Sequence, residues 1–471
     1  MNWMSLVKRL VYALVLLSII SVITFGLSRM VPGDEILDYL SIDDSRYTSS
    51  AGPLEQRQAY ARVAEKRGLN LPVFYFSVRP GYYPDTLYRI AYKADRNAVL
   101  QWARTTGDPK GSLQLYHDLR EAMLYACPKS DTSTQANAWC ENIGKLQSAE
   151  DWFTVHHGIL RLRESDGGDD AQWDVIIGKL IADADQLTKH VAQISTRSYF
   201  PSFEWYGTHN QYHSWVKNLV SLHPVTSLID GRNAWTKILE ALKWTLWLNG
   251  LAFVLTIVMG VVIGMWSGVH EDRTTVKIVG IILFVLFALP SFWLATLLVY
   301  FLASGEFLSV FPAGGLGAYR QAENLLTSWG ILASHLFLPV VCLALGSIAY
   351  VSRQMKQSVV HQLGQPYVTA LRVQGVSEKT IVRKHVFRNA LFPLITLIGG
   401  SLPGLLSGSL IIEVIFSIPG MGRLMYTSLM ARDWPVVFPI LMLAACVTVI
   451  AYQLTDIVYK WADPRVKTME S

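Results

Sequence analysis

Long apolar runs leave this chain few folds to choose from. Leu10–Leu27 is an unbroken run of 18 residues, and comparable stretches recur at Trp244–Met265, Ile278–Phe301, Trp329–Tyr350, Leu391–Ile415 and Pro435–Tyr459. Roughly 20 apolar residues cross a bilayer as a helix. Inside lipid every backbone N–H and C=O needs an internal partner, so each run is expected to be helical. Charged residues make up 16% of the chain, against roughly 25% in soluble domains. The expectation is an all-α integral membrane protein with six transmembrane helices, its first partner the lipid bilayer. The formal charge of +5 is small. Its basic cluster is framed by membrane runs, so nucleic acid is not an expected partner.

Charge placement orients the runs. Lys8 and Arg9 precede the first run, which puts the N-terminus in the cytoplasm. No small-x-small cleavage site follows, so residues 1–34 read as a retained helix, not a signal peptide. Residues 35–241 then lie outside the cytoplasm and are too many for a plain connection. Helical spacing recurs at Leu54–Arg67, Tyr88–Arg104, Leu113–Tyr125 and Trp173–Thr196, so this domain is expected to be mostly helical. It has no fixed repeat period. Cys127 and Cys140, thirteen positions apart, are candidates for a disulfide in an oxidising compartment. Cys342 and Cys446 sit in apolar runs as packing residues. The His156–His157 and His209/His213 pairs lack further ligands at useful spacing, so no metal is expected.

Residues 242–467 form the expected membrane core, with 468–471 as a tail. Gly250, Gly260 and Gly264 offer close helix contact in the second run. Pro290 falls inside the third, and Gly399, Gly400, Gly404 and Gly408 thin the fifth. Glu413 is the only charge in that fifth run. An acidic residue there marks either a functional group or the interface at the helix end. Pro419-Gly420 and Gly422 break the chain into a re-entrant or surface segment. Between the fourth and fifth runs, residues 351–390 carry the chain's concentrated positive charge, with seven Lys or Arg and one Glu between 351 and 393. Apolar spacing on either side of Gly375 predicts helix, tight turn, helix. The charge places this element in the cytoplasm, as a docking site or as a loop that only sets topology.

Several motifs in this half, in the same order, resemble the permease subunits of importer-type ABC transporters, specifically the dipeptide/oligopeptide/nickel branch. They are Ser352-Arg353-Gln354-Met355, then Tyr367, Ala370, Arg372, Gly375, His385, Arg388-Asn389-Ala390 and Pro393. Glu413–Arg423 (EVIFSIPGMGR), Arg432-Asp433-Trp434-Pro435 and Asp463-Pro464-Arg465 complete the set. The family's Glu-Ala-Ala signature is degraded here to Thr369-Ala370-Leu371, and Gln374 stands where a Lys is customary.

The resemblance implies that 351–390 is a coupling loop, with Tyr367, Ala370, Arg372, Gly375, His385, Arg388 and Asn389 docking an ATPase subunit. Pro290, Gly404, Glu413, Pro419 and Gly420 would serve the pathway or its gate. It implies as partners two ABC ATPase subunits, a second homologous permease and an extracytoplasmic solute-binding protein, in the inner membrane with both termini cytoplasmic. The stretch from about 81 to 197 is then an insertion, either a spacer or a docking aid for the binding protein. The chain has no Walker-type phosphate loop. ATP and Mg therefore belong to the partners, and this chain binds no cofactor and is not an enzyme. The solute class implied is a peptide, with nickel chelates or sugars as alternatives. An export or signalling scaffold is the competing class.

Overall fold

The computed structural model describes residues 3–30, 33, 34, 36, 37, 39, 40, 52–129, 134–164, 171–191, 200–222, 225–305, 307–321, 324–394, 397, 401, 404 and 409–462. They fall into two compact units, one formed by Met1–Arg29 with Pro224–Ser471 and the other by Met30–His223.

The chain opens with helix α1 (Trp3–Met30). The second unit follows. It contains helices α2 (Pro53–Arg67), α3 (Lys93–Thr106), α4 (Pro109–Ala126), α5 (Thr134–Gln147), α6 (Trp152–Glu164), α7 (Ala171–Val191) and α8 (Gln211–Val220). Among the described residues it also has a two-stranded antiparallel ribbon, β1 (Phe76–Pro80) with β2 (Pro201–Trp205). The alternating sequence there was too short to signal strands. Pairing of Phe76 with Trp205 and of Pro80 with Pro201 brings together the two ends of the 81–197 stretch.

Trp102, Trp152 and Trp173 are buried in this unit's core with Leu115, Leu119, Ile159 and Leu180, each such side chain stabilising by roughly 1.5–3 kcal/mol. Asp95 is fully buried and takes a two-pronged ion pair from Arg57, with Nε–Oδ2 at 2.7 Å and Nη2–Oδ1 at 2.8 Å. Arg57 also donates to the Gly144 carbonyl. One guanidinium therefore ties α2 to α3 and α5, and the planar fork makes such a pairing specific as well as strong. A disulfide joins Cys127 to Cys140, across the junction of α4 and α5. The sequence-expected helix at 173–196 ends at Val191, and 192–196 lie outside the described residues.

In the first unit, α9 (Ala234–Val269) is followed by α10 (Thr274–Ala288), α11 (Ser291–Leu302) and α12 (Leu325–Leu363). Next come α13 (Pro366–Val373), a helical stretch over 378–390, α14 (Leu410–Ile415), α15 (Met421–Met430) and α16 (Trp434–Ala462). Among the described residues, four stretches are long and apolar enough to cross a membrane: Val7–Met30, Ala234–Val269, Leu325–Leu363 and Trp434–Thr455. The protein is a multi-pass α-helical membrane protein.

The third apolar run is not the continuous helix expected. It breaks between α10 and α11 with a bend of 104°. Pro290 lacks an N–H and crowds the preceding residue. Leu289 accordingly leaves the helix at ψ 129°, and Pro290 becomes the N-cap of α11. Counting the bent pair as one span gives five. Part of the expected fifth run, including Gly399, Gly400 and Gly408, lies outside the described residues, as do the Asp463-Pro464-Arg465 motif and the tail.

Helices α9 and α12 make the tightest contact. A Cβ built on Gly260 would lie 2.6 Å from Val351 Cγ1, one on Gly264 2.5 Å from Met355 Cβ, and one on Gly268 2.7 Å from Val359 Cβ. Three glycines four residues apart thus let the two backbones approach. Gly250, expected to join this stripe, would meet nothing within 4 Å.

Candidate functional site

The basic element starts later than its sequence suggests. No helix breaker separates Tyr350 from Leu363, so α12 runs straight through 351–363, and Val351, Ser352, Met355 and Val359 are buried. The chain first turns at Gly364-Gln365, and Pro366 then starts α13, where its missing N–H does no harm.

Helix α13 ends in a Schellman turn, with Val376 N–H donating to the Leu371 carbonyl (3.1 Å) and Gly375 N–H to that of Arg372 (3.0 Å). Gly375 has φ +79°, and a Cβ there would meet nothing within 4 Å. Glycine is needed for the backbone conformation, not for space. Arg372 Nε pairs with Glu378 Oε1 across the turn at 2.5 Å. That hydrogen bond and charge push the guanidinium's already high pKa further up. The chain continues through a π-helical turn, Ile381–Val386.

Val368, Ile381, Val386 and Ala390 point inward onto Val351, Met355 and Val359 of α12, with Val261 and Met265 of α9 alongside. Ala370, Arg372, Gly375 and Arg388 are exposed, while Tyr367, His385 and Asn389 are half-buried. Tyr367 Oη donates to Gln362 Oε1 at 3.0 Å. The element is therefore bolted to the glycine-packed α9–α12 pair and presents a basic, solvent-facing turn.

A second cluster gathers Glu413, Pro419 and Gly420. Glu413 is fully buried. Its Oε1 accepts from Thr245 Oγ1 of α9 (2.8 Å), and its Oε2 accepts from the Arg423 N–H (3.0 Å). Thr245 Oγ1 in turn accepts from the Met421 N–H at 2.8 Å. The first N–H groups of a helix have no intrahelical partner and favour negative charge. Glu413 and Thr245 together supply that cap to α15.

The glycines of the motif make room for this arrangement. A Cβ on Gly420 would overlap the Glu413 carboxyl, and one on Gly422 would lie 2.6 Å from Leu410 Cα. Ser417 takes φ +53° in the intervening turn, and its carbonyl accepts from Arg423 Nη1 at 2.6 Å. The loop at 311–315 docks on the same turn, Gly315 N–H donating to the Phe416 carbonyl at 2.8 Å. Pro290 is tied in through α11, whose Leu294 and Ala295 share a buried cluster with Ile412 and Phe416. Gly404 is exposed.

Asp433 is a further buried carboxylate that the motif Arg432–Pro435 contains but whose role the sequence hid. It accepts from Ser227 Oγ (2.5 Å) and from the Leu228 N–H (2.9 Å), with Lys237 Nζ at 3.7 Å. It holds the segment ahead of α9 against the start of α16. Thr245 was missed as well. A lone hydroxyl in an apolar run is its only sequence signal.

The described residues contain no group of three His, Cys, Asp or Glu able to hold a metal. The polar groups join chain segments and do not line up as acid, base and nucleophile. This is the anatomy of a helical membrane component built around tethered segments.

Comparison with known proteins sharpens that class. Residues 260–468 match the family described as binding-protein-dependent transport system inner membrane component. The chain is 32% identical over 232 residues to the dipeptide transport system permease protein of Lactococcus lactis subsp. cremoris, covering 49% of this chain and 71% of that protein. It is 30% identical over 260 residues to the oligopeptide transport system permease protein of Bacillus subtilis, covering 55% and 80%. It is 34% identical over 259 residues to a putative peptide transport system permease protein of Brucella abortus, covering 54% and 78%. The chain belongs to this family, the permease subunits of the dipeptide/oligopeptide/nickel ABC importers. It is a transport permease subunit.

Proposed function

We propose that this chain is one permease half of a peptide importer, with ATP hydrolysed on partner subunits. Its relatives are named for dipeptide, oligopeptide and peptide transport. The observation that carries the mechanism is the exposed turn around Gly375, rigidly fixed to the α9–α12 pair. Tyr367, Ala370, Arg372, Gly375, His385, Arg388 and Asn389 form the surface on which an ATPase subunit docks. Closure of two ATPases on ATP draws the docking turns of two permeases together. Helices α9 and α12 follow as one body, and the pathway alternates its access. The cluster of Glu413, Pro419 and Gly420 holds a gate segment, and the bend at Pro290 and the thin stretch at Gly404 flank the route.

In this reading six helices span the inner membrane and both termini are cytoplasmic. The 81–197 stretch and its disulfide lie outside, where a solute-binding protein delivers cargo. The test is reconstitution into proteoliposomes with the two ATPases, the second permease and the binding protein. Trialanine should accumulate only with ATP and the full set of subunits. Export in place of uptake, or uptake without the ATPases, would overturn the reading.

A further inference from the structure

A cavity of about 510 Å³ lies beside the gate segment, lined by Arg232, Lys237, Trp244, Tyr319 and Arg423, with Pro419 and Gly420 in its wall. Its volume suits a small-molecule ligand. The basic groups around it are not equivalent. Lys237 Nζ is committed to Asp230 (3.1 Å) and Ser227 (3.0 Å), with Asp433 at 3.7 Å. Arg232 is paired with Glu240 at 3.2 Å. Arg423 has no carboxylate within ion-pair distance among the described residues. Its Nη1 is anchored on the Ser417 carbonyl at 2.6 Å. That bond anchors the guanidinium and leaves the Nε–Nη2 edge, a two-donor fork, without an acceptor among the described residues. Such a fork matches the geometry of a carboxylate. In the same lining Trp244 and Tyr319 meet edge to face with ring centroids 5.6 Å apart, an apolar surface for the body of a ligand.

We propose that this cavity is a solute subsite, in which the Arg423 guanidinium receives a carboxylate of the transported peptide while Trp244 and Tyr319 flank its uncharged part. The proposal rests on the peptide-importer reading and adds a recognition step made by the permease itself. The backbone of Arg423 is already held by Glu413 through its N–H, so the side chain recognises the ligand while the main chain belongs to the gate. Occupancy of the subsite and position of α15 are thereby linked through one residue.

The test uses the assembled permease–ATPase complex in nanodiscs without binding protein, with radiolabelled trialanine and trialanine amide as probes in equilibrium dialysis. The wild-type complex should bind the acid about tenfold more tightly than the amide, the order of effect expected for one charge-assisted fork. Arg423→Gln should abolish that preference by weakening the acid alone, and Arg423→Lys should restore part of it.

A second variant guards against a folding defect at Arg423. Thr427 lies one helical turn on, at the cavity wall, its hydroxyl bonded only to its own helix backbone at Arg423 and Leu424. Thr427→Glu places a carboxylate where it pairs with Arg423 and should lower acid binding while leaving the amide unchanged. Thr427→Gln, which adds no charge, should keep the acid-over-amide preference. Equal binding of acid and amide by the wild type, or a preference that survives both Arg423→Gln and Thr427→Glu, overturns the subsite. Loss of ATP-driven trialanine uptake by the complete wild-type system would instead overturn the importer reading. Uptake that continues without the acid preference sinks the subsite alone.

Discussion

Thr245 and Glu413, 168 positions apart in the chain, are joined by a 2.8 Å hydrogen bond inside the membrane unit. The same threonine oxygen takes the Met421 N–H, so one hydroxyl relays between the long helix α9 and the amino end of α15. Glu413 thus acts through position. It is a clasp for the segment that the family motif encodes.

Removing the clasp should be costly. Glu413→Ala leaves the Arg423 N–H and the Thr245 hydroxyl without their acceptor, about 1–3 kcal/mol for each buried donor left unmade. Glu413→Gln keeps an acceptor for Thr245 but offers an NH2 or a single oxygen elsewhere, so its loss should be smaller. Thermal unfolding of the detergent-purified protein should rank wild type above Gln above Ala. An unchanged midpoint for Glu413→Ala would show that the carboxylate does not hold α15.

The glycines divide into two groups with opposite expected behaviour. Gly264 faces Met355 and Ser352 so closely that any side chain must push α9 and α12 apart. Gly264→Leu should destabilise the chain by ~1–3 kcal/mol, the usual range for overpacking, and should cut coupled ATPase activity. At Gly404 and Gly250 a Cβ would meet no atom within 4 Å. Gly250→Leu and Gly404→Leu should therefore leave thermal stability within about 0.5 kcal/mol of wild type. Any transport defect of Gly404→Leu would then report on the pathway and not on the fold. A stability loss in Gly404→Leu as large as that of Gly264→Leu would contradict this division.

Much of this could be read from the chain, for identifiable reasons. Apolar run length marks α1, α9, α12 and α16 because lipid demands internal hydrogen bonding. Gly375 was legible because a glycine followed by a polar break is the signature of a left-handed helix end. The sequence erred where a local signal had two solutions. Pro290 can be absorbed in a membrane helix or can break it, and only the packing of α10 and α11 against α12 decides. Apolar spacing ahead of Gly375 suggested a single helix on that side, yet α12 runs on to Leu363 and a new helix starts at Pro366. The partners of Glu413 and Asp433 were illegible because Thr245 and Ser227 lie 168 and 206 positions away. The ribbon β1–β2 was missed because five-residue strands carry little periodic signal.

In the second unit a pair of neighbouring carboxyls makes local stability depend on pH. Asp118 on α4 and Asp183 on α7 interact, with Lys179 Nζ 2.7 Å from Asp118. Burial, and then the hydrogen bond to Asp118, push the Asp183 carboxyl up to about 6. Burial opposes ionisation of Asp118, but its hydrogen bonds with Asp183 and Lys179 outweigh that and hold its pKa below the usual carboxylate value. A carboxyl with a raised folded-state pKa contributes stability that is full below its unfolded value of 3.8 and is lost as pH rises through about 6. Hydrogen-exchange protection of α7 in the full-length protein should therefore fall between about pH 4 and about pH 6 and level off above that. Asp183→Asn, which mimics the protonated form, should flatten the change. A slope that persists in Asp183→Asn would assign it to another group.

Cys127 and Cys140 close a 13-residue separation between α4 and α5. A loop of that size is expected to stabilise by about 3 kcal/mol on the chain-entropy account. Both thiols should resist alkylation in denatured, unreduced protein and react after reduction. Cys127→Ser should lower protection of α5 without affecting α9 or α12. Immediate alkylation of both cysteines before reduction would rule out the bridge in the native envelope.

At Gly375 backbone strain and steric exclusion can be separated by substitution. Its φ of +79° is open to glycine and, at modest strain, to asparagine. Nothing lies within 4 Å of the Cβ position, so size alone does not disturb this chain. Gly375→Asn should keep the Schellman turn, whereas Gly375→Ala should weaken it by about 1 kcal/mol. Gly375→Arg combines that backbone strain with a bulky group projecting from the exposed surface that is proposed to meet the ATPase. Pull-down of ATPase subunits per permease should then fall in the order wild type, Asn, Ala, Arg, with Arg reduced far more than its thermal stability. Steric exclusion by a partner accounts for that excess, because no described atom of this chain lies within 4 Å of the Cβ position. If Gly375→Arg retains ATPase subunits and solute-stimulated hydrolysis at wild-type levels, the docking face lies elsewhere on the loop. Single-cysteine crosslinking from Gln374, and then from Arg388, would locate it.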